Sequence, residues 1–270
     1  MVSAKDIIVK PITAQAANAL VKRVHYSGKY ARTSTLHFGA YLNDKLEGVM
    51  SFGGSINKKG TNGIVSNTNW NGFIELNRMA FSDRLPRNSE SRCLAVAFRL
   101  IKKHYPHIEW VVSFSDGCQC GDGAIYRASG FVLTGIKKNT SMVLMPDGQV
   151  IAKLVFGLTY GKNSDSLVIS KYGFKRGESI SGFLNRIGAV PLQGYQLRYI
   201  YFLNKEARAR LTVPIIPFSK IDEMGASMYK GKSIKRDTKA TTNDQLVGGG
   251  AIPTITLQSS CIASKKSSEV

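Results

Sequence analysis

The chain is short of acid: its 270 residues hold 18 Asp and Glu against 37 Lys and Arg, a formal charge of +19. A surplus of that size argues for a polyanionic partner, nucleic acid first, with a solvated basic face or anionic lipid as alternatives. Cysteine is scarce as well. Cys93, Cys118, Cys120 and Cys261 lie in different contexts and give no disulfide framework. No apolar run approaches the roughly 20 residues of a membrane span, and the opening MVSAKDIIVKP lacks the apolar stretch of a secretion signal. A soluble, cytoplasmic protein with no membrane partner is expected. The Gly-x-x-x-x-Gly-Lys-Ser/Thr segment of nucleoside triphosphatases is missing, and no internal repeat is visible.

What is present is an apolar fraction of 43%, enough to bury one sizeable core. TLHFGAYLNDKLEGVMSFGG reads as a hairpin turning at Asn43-Asp44, and FIELNRMAF as a strand. RCLAVAFRLIKKHYP predicts a helix, because Leu94, Ala97, Phe98 and Ile101 share one face; Asn88 or Ser89 can cap it and Pro106 ends it. IEWVVSFS is an apolar run suited to a strand buried on both faces. A second helix follows at GAIYRASGF, then strands joined by a Pro146-Asp147-Gly148 turn, a short helix at SISGFLNRIGA and the strand LRYIYFL. These elements place the main folded domain at 1–217, an extension packed on it at 218–230, and a flexible basic tail at 231–270.

The stretch SDGCQCGDGAIYRASGF is open to three readings: a metal knuckle, a phosphate loop, or the floor of an acyl-transfer site. Structural zinc needs four ligands, and Cys118-x-Cys120 supplies two, with His104 and His107 poorly placed to add more. A glycine-permitted turn into the helix of Tyr126 is the simpler reading. Upstream, PRNSES and the residue after it bring Arg87 and Arg92 as cations, with Asn88, Ser89 and Ser91 as small donors, to a helix start, where backbone N–H groups can hold a diphosphate. Plain helix capping accounts for these residues equally well.

AIYRASGF resembles the Ala-x-x-Tyr-x-x-x-Gly-Phe signature of the Gcn5-related N-acetyltransferase fold, and PRNSES stands where that fold has its pyrophosphate loop, here without its usual glycines. More narrowly, VHYSGKY, ELNRMAF with LPRNSESR, SFSDG before GAIYRASGF, and RYIYFL are together similar to the phage Mom family of DNA adenine-modification proteins, over most of residues 20–220. The resemblance implies an α/β (α+β) fold with a central mixed sheet flanked by helices. It implies an enzyme that adds an acetamido or methylcarbamoyl group to the exocyclic amine of adenine in double-stranded phage DNA, in the host cytoplasm, and so protects that DNA from restriction. Acetyl-CoA or a related acyl donor is the implied cofactor. Iron is also associated with the family, which would make His25 and Asp116 ligands. Members often carry a histidine in the glycine-rich turn; Gly121 stands there in this chain, so no such role transfers.

The expected catalytic group is His25, Tyr26, Ser27, Asp116 and Tyr126. His25 can take a proton from the attacking amine or merely end a helix. Asp116 ends the most buried strand, where it can orient His25, hold the amine or only cap a turn. Tyr126 is the acid for a departing thiolate unless it simply packs. Ser113 and Ser115 can line the cleft, and Glu75 with Arg78 can form a buried pair. Arg78, Arg87, Asn88, Ser89, Ser91 and Arg92 make up the expected cofactor site. Lys22, Arg23, Lys29, Arg32, Lys171, Lys175 and Arg176, with Arg208 and Arg210, are the expected phosphate contacts on DNA. Tyr26, Tyr30, Tyr172 and Phe174 are available to stack on an extruded base, which modification of a paired adenine requires. An acetyl-CoA-dependent N-acetyltransferase of another amine (RNA, protein or polyamine) is the alternative; a cationic acceptor would be repelled by this enzyme. A DNA-binding protein with a decayed site is the third.

Overall fold

The structure is a computed structural model that describes residues 2–153, 156, 171–175, 177–229 and 232–234. The chain divides into Met1–Arg236 and Asp237–Val270, the latter outside the described residues. Ten strands matter here: β1 (Ile8–Pro11), β2 (Ser34–Leu42), β3 (Lys45–Gly53), β4 (Phe73–Phe81), β5 (Trp110–Asp116), β6 (Val132–Lys138), β7 (Met142–Leu144), β8 (Val150–Ala152), β9 (Val190–Pro191) and β10 (Tyr195–Phe202). Four helices flank them, α1 (Ala14–Val24), α2 (Lys58–Asn62), α3 (Ser89–His104) and α4 (Ala124–Ala128). Seven strands form one mixed sheet in the order β1-β2-β3-β4-β5-β10-β6. Asn43 and Asp44 both take positive φ between β2 and β3, the conformation a two-residue hairpin turn demands.

All pairings in this sheet are antiparallel except β4 with β5, and that exception shapes the molecule. β4 and β5 pair only over Phe73–Glu75 and Trp110–Val112, yet run on to Phe81 and Asp116. Beyond Glu75 the two strands part. On its other edge β4 carries one extra residue, since Phe52 faces Leu76 and Ser51 faces Arg78, leaving Asn77 as a bulge. Where the ladder to β5 ends, the Leu76 carbonyl accepts the Ser113 hydroxyl at 3.3 Å.

Side-chain alternation assigns the two faces. Ile74, Leu76, Val111, Leu197 and Tyr199 form the main core with Leu94, Ala97, Phe98 and Ile101 of α3 and Tyr126 of α4. On the other face Phe73, Trp110, Val112 and Ile200 pack with Ile64, Val65 and Ala207, while Leu20 and Val21 of α1 seal Val49 and Ala80. Ile221 and Ala226, in the 218–230 stretch, are fully buried in the main core. The hairpin pairing Met228–Tyr229 with Lys232–Ser233 crosses the boundary that composition draws at 230; the rest of the 231–270 tail lies outside the described residues.

The sequence placed the hairpin, β4 and β5 within a residue or two, but α3 begins at Ser89 rather than Arg92. Asn88 is its N-cap, in the left-handed region at φ 68 and with no side-chain hydrogen bond to the helix, so the capping expected of it is not made. The segment at GAIYRASGF is a single short helix ending before Gly130 (φ 82). Strands β7 and β8, joined by the Pro146-Asp147-Gly148 turn, leave the main sheet and form a small sheet with β9 in the order β8-β7-β9. With the helix Ile180–Arg186 they surround a separate small core that includes Val143, Ile151, Phe174 and Phe183.

Candidate active site where two strands part

The gap between β4 and β5 holds a cleft of about 560 Å³. Strand ends and helix starts deliver its walls: Leu76 to Met79 from β4, Phe114 to Asp116 from β5, the turn 120–123, Ala124 to Tyr126 from α4, and His25 with Tyr26 from the end of α1. Met228 and Tyr229 close one side, through Asp122 N–H to the Met228 carbonyl at 3.1 Å and a bridge between Gly121 and Tyr229. Thus His25, Tyr26, Arg78, Asp116 and Tyr126, more than 90 residues apart at the extremes, line one cavity. Ser27 and the loop residues Arg87, Asn88, Ser89, Ser91 and Arg92 do not line it, whereas Asp83 and Glu90 do.

His25 is the C-cap of α1. Its Nδ1 accepts the Ser27 N–H at 3.1 Å and lies 2.8 Å from the Ser27 hydroxyl. Burial and, secondarily, the Arg78 guanidinium lower its pKa to about 4. The ring is therefore neutral at pH 7 with its proton on Nε2, which changes the expectation: Nε2 is a hydrogen-bond donor, and the helix gains no charge from it. Tyr26 stacks at a tilt on His25, ring centroids 4.2 Å apart. Desolvation, then Asp116 and Cys120, push its phenol above the usual range, although 53% of the residue is exposed.

Asp116 is held from three sides: Oδ1 accepts the Cys118 N–H at 3.0 Å and the Gln196 amide at 2.9 Å, and Oδ2 accepts the Gln119 amide at 2.9 Å. It caps the turn and also fronts the cleft, so both readings of it are realised. Tyr126 is buried against Phe131 and Tyr199. Desolvation raises its pKa, with the Ser113 hydroxyl as its hydrogen-bond partner. Behind it Asp122 is buried and paired with Arg127 at 3.0 Å, a support that nothing in the sequence singled out. Gln196 escaped notice for the same reason: its role depends on β10 lying beside β5.

Several expectations are corrected. Glu75 and Arg78 make no ion pair; Arg78 donates to the Lys29 carbonyl (2.9 Å) and the Asn77 carbonyl (2.8 Å). The Ser89 hydroxyl donates to the Pro86 carbonyl and the Ser91 hydroxyl to Asn88, so neither side chain faces a ligand. Phe174 is core and Tyr172 packs against that core, its hydroxyl on Asp147 and Gln149, which removes both as stacking platforms. Lys171 is paired with Asp147 at 2.8 Å and Arg210 with Glu109 at 2.6 Å, whereas Arg23, Lys29 and Arg32 are exposed. Lys175 is exposed as well, and Arg176 lies outside the described residues.

The Cys-x-Cys turn offers protonated thiols, where a metal ligand would be a thiolate. Cys118 is buried with its thiol pushed up to about 12 by burial and Asp116, and the same causes raise exposed Cys120. Among the described residues no three His, Cys, Asp or Glu side chains converge on a cation site, so the pairing of His25 with Asp116 as iron ligands lacks further donors. A diphosphate fits better, at the start of α3. Asn88 takes the positive φ that a glycine would supply, its side chain leaves the helix uncapped, and the Glu90 and Ser91 N–H groups are free of a side-chain partner. Arg87 is exposed beside them and Arg92 half-buried.

A mixed sheet parted at its one parallel pair, with a cleft at the parting and helices on both faces, is an α/β fold of acetyltransferase-like type. The chain belongs to the Mom protein family, which it matches over residues 6–220. It is 34% identical over 212 residues to the methylcarbamoylase Mom of Escherichia phage Mu, covering 78% of this chain and 81% of that protein. Among solved structures it is similar to the ribosomal-protein-S18-alanine N-acetyltransferase of Escherichia coli (10% identity, 73% of this chain, 94% of that one, TM-score 0.39). It is also similar to a Bacillus subtilis acetyltransferase in complex with CoA (13% identity, 73% and 97% coverage, TM-score 0.37). No helix among the described residues is long and apolar enough to cross a membrane.

Proposed function

We propose that this protein transfers a small acyl-type group, methylcarbamoyl or acetamido, to the exocyclic amine of adenine in double-stranded phage DNA, and that the donor is a thioester related to acetyl-CoA that already carries the nitrogen of that group, since acetyl-CoA itself delivers only an acetyl group. The observation that carries this reading is the 34% identity to a methylcarbamoylase over four fifths of that protein's length. The cleft supports it chemically. A CoA-type donor, when bound, supplies an activated carbonyl. The Glu90 and Ser91 N–H groups, with Arg87 and Arg92, would hold its diphosphate at the α3 start.

The remaining chemistry belongs to side chains at the gap. Tyr126 keeps its proton at neutral pH, as an acid for a departing thiolate must. Neutral His25 offers Nε2–H as a donor to the carbonyl oxygen or to a base nitrogen. Asp116 retains acceptor capacity at Oδ2 beyond its bond to Gln119 and can receive an N–H of the incoming amine. Arg23, Lys29 and Arg32, exposed beside His25, can meet DNA phosphates.

The test is direct: express the protein in bacteria, digest total DNA to nucleosides and analyse them by mass spectrometry. A deoxyadenosine heavier by the transferred group is the expected product. Unmodified DNA accompanied by acetylated small amines would turn the reading to an N-acetyltransferase of another acceptor, and neither product would leave a binding protein.

A further inference from the structure

A second cavity of about 450 Å³ lies on the sheet face opposite α3, and Phe114 belongs to the walls of both cavities. The face follows from alternation: Phe114 shares parity with Val112, whose cluster is on that side, and Arg198 with Ile200. The first cleft runs through the parting of the sheet: Leu76, Met79, Ser115 and α4 line it from the α3 side, and Arg78, Phe114, Asp116 and the end of α1 from the other. The second cavity lies on the α1 and α2 side and adjoins it at Phe114, so a donor held from the α3 side and an acceptor entering over Phe114 can meet where β4 and β5 separate.

The lining of this second cavity suits a nucleotide. Phe114 is 43% exposed although Trp110 to Ser113, which precede it in β5, are fully buried, so its ring is a bare aromatic surface. Lys137 is exposed and forms no ion pair among the described residues. Arg198 gives Nε to the Thr134 hydroxyl (3.0 Å) and Nη2 to the Thr134 carbonyl (2.8 Å), a fixed pose that leaves Nη1 without a hydrogen-bond partner among the described residues. Asn57 uses its side-chain oxygen on the Gly60 N–H at 3.2 Å, which leaves its amide as a donor, while the Glu75 carboxyl is an acceptor. A donor and an acceptor together match the edge of adenine, which presents one ring-nitrogen acceptor and the amine donor.

We propose that this cavity receives the extruded adenine nucleotide, its base stacked on Phe114 and its flanking phosphates on Lys137 and Arg198. The proposal rests on the adenine-modification reading above and adds which face the DNA occupies. Base–aromatic stacking contributes about 1–3 kcal/mol, so loss of the ring should weaken base-dependent binding roughly five- to 150-fold at 1.4 kcal/mol per decade.

The probe is a single-stranded oligonucleotide of mixed sequence with every adenine replaced by fluorescent 2-aminopurine, set against an abasic oligonucleotide of equal length. Wild-type protein should change the 2-aminopurine emission on binding. Phe114→Ala, and Phe114→Leu, which keeps apolar bulk if the smaller side chain unfolds the protein, should lose that change and the base-dependent affinity, yet bind the abasic strand as wild type does. Lys137→Ala should weaken both. Wild-type emission changes in the Phe114 variants, or wild-type levels of modified deoxyadenosine in cells expressing them, would overturn the pocket while leaving the adenine reaction standing. Phe114-dependent binding by a protein that modifies no DNA would instead uphold the pocket and remove the reaction.

Discussion

At the scale of single residues, the site is defined by groups whose protonation is set by burial. Tyr126 keeps its proton, so Tyr126→Phe should reduce the modified nucleoside at least tenfold, on the order expected for loss of an acid, with little change in Tm because the ring still packs. Asp116→Ala should abolish modification and also cost stability, about 1–3 kcal/mol for the donors it strands, since Cys118 N–H, Gln119 and Gln196 all depend on it. Both variants should retain salt-sensitive DNA binding; wild-type modification in both would remove these roles. For His25 the folded pKa of about 4 lies below the ordinary 6.5. The unfolded chain therefore takes up the proton first as pH falls, so the stability His25 contributes is present above pH 6.5 and is lost progressively down to about pH 4. Thermal melts across that window should slope less steeply in His25→Gln than in the wild type.

At the scale of elements, two backbone positions hold the site open. Gly123 enters α4 at φ 84, and a Cβ there would sit 2.5 Å from the ring of fully buried Tyr199. Gly123→Ala should destabilise by on the order of 1–3 kcal/mol from the left-handed conformation alone, and shift Tyr126 with it; a Tm equal to wild type would contradict this. Asn88 makes the corresponding turn into α3. Asn88→Gly should leave the KM for the acyl donor near wild type, whereas Asn88→Val should raise it severalfold with kcat less affected, as expected when only donor binding is lost. Elements of this kind were legible in the sequence where their cause is local. The turn at Asn43-Asp44, the spacing of Leu94, Ala97, Phe98 and Ile101, and the apolar run of β5 all carry their signal within a few residues. The start of α3 is not legible in the same way, because Asn88 enters the helix through a left-handed backbone conformation without a side-chain cap and leaves no side-chain pattern to read.

At the scale of the whole molecule, the charge of +19 predicts that the proposed DNA binding is governed by ionic strength. Each phosphate contact contributes about −0.9 to the slope of log K against log salt on duplex DNA. Replacing Arg23, Lys29 and Arg32 together by Ala should lower the slope by about 2 to 3, and an unchanged slope would remove that cluster from the interface. Lys171 and Arg210 were expected to act in the same way, yet Asp147 and Glu109 already neutralise them. Which cations are free depends on what folds against them. The small core around Phe174 and Phe183 makes the same point, since it turns an apparent stacking residue into an interior one.

Sequence by itself determined the order of strands and helices, the basic character and the family, because periodicity, turn chemistry and composition act over short spans or over the entire chain. Only the tertiary structure decided that β4 and β5 part after Glu75 and Val112, that His25, Tyr26, Arg78, Asp116 and Tyr126 meet there, and that Phe114 stands between two cavities. Those outcomes depend on hydrogen-bond register between segments tens of residues apart, and a one-residue change of register would send each of these side chains to the other face.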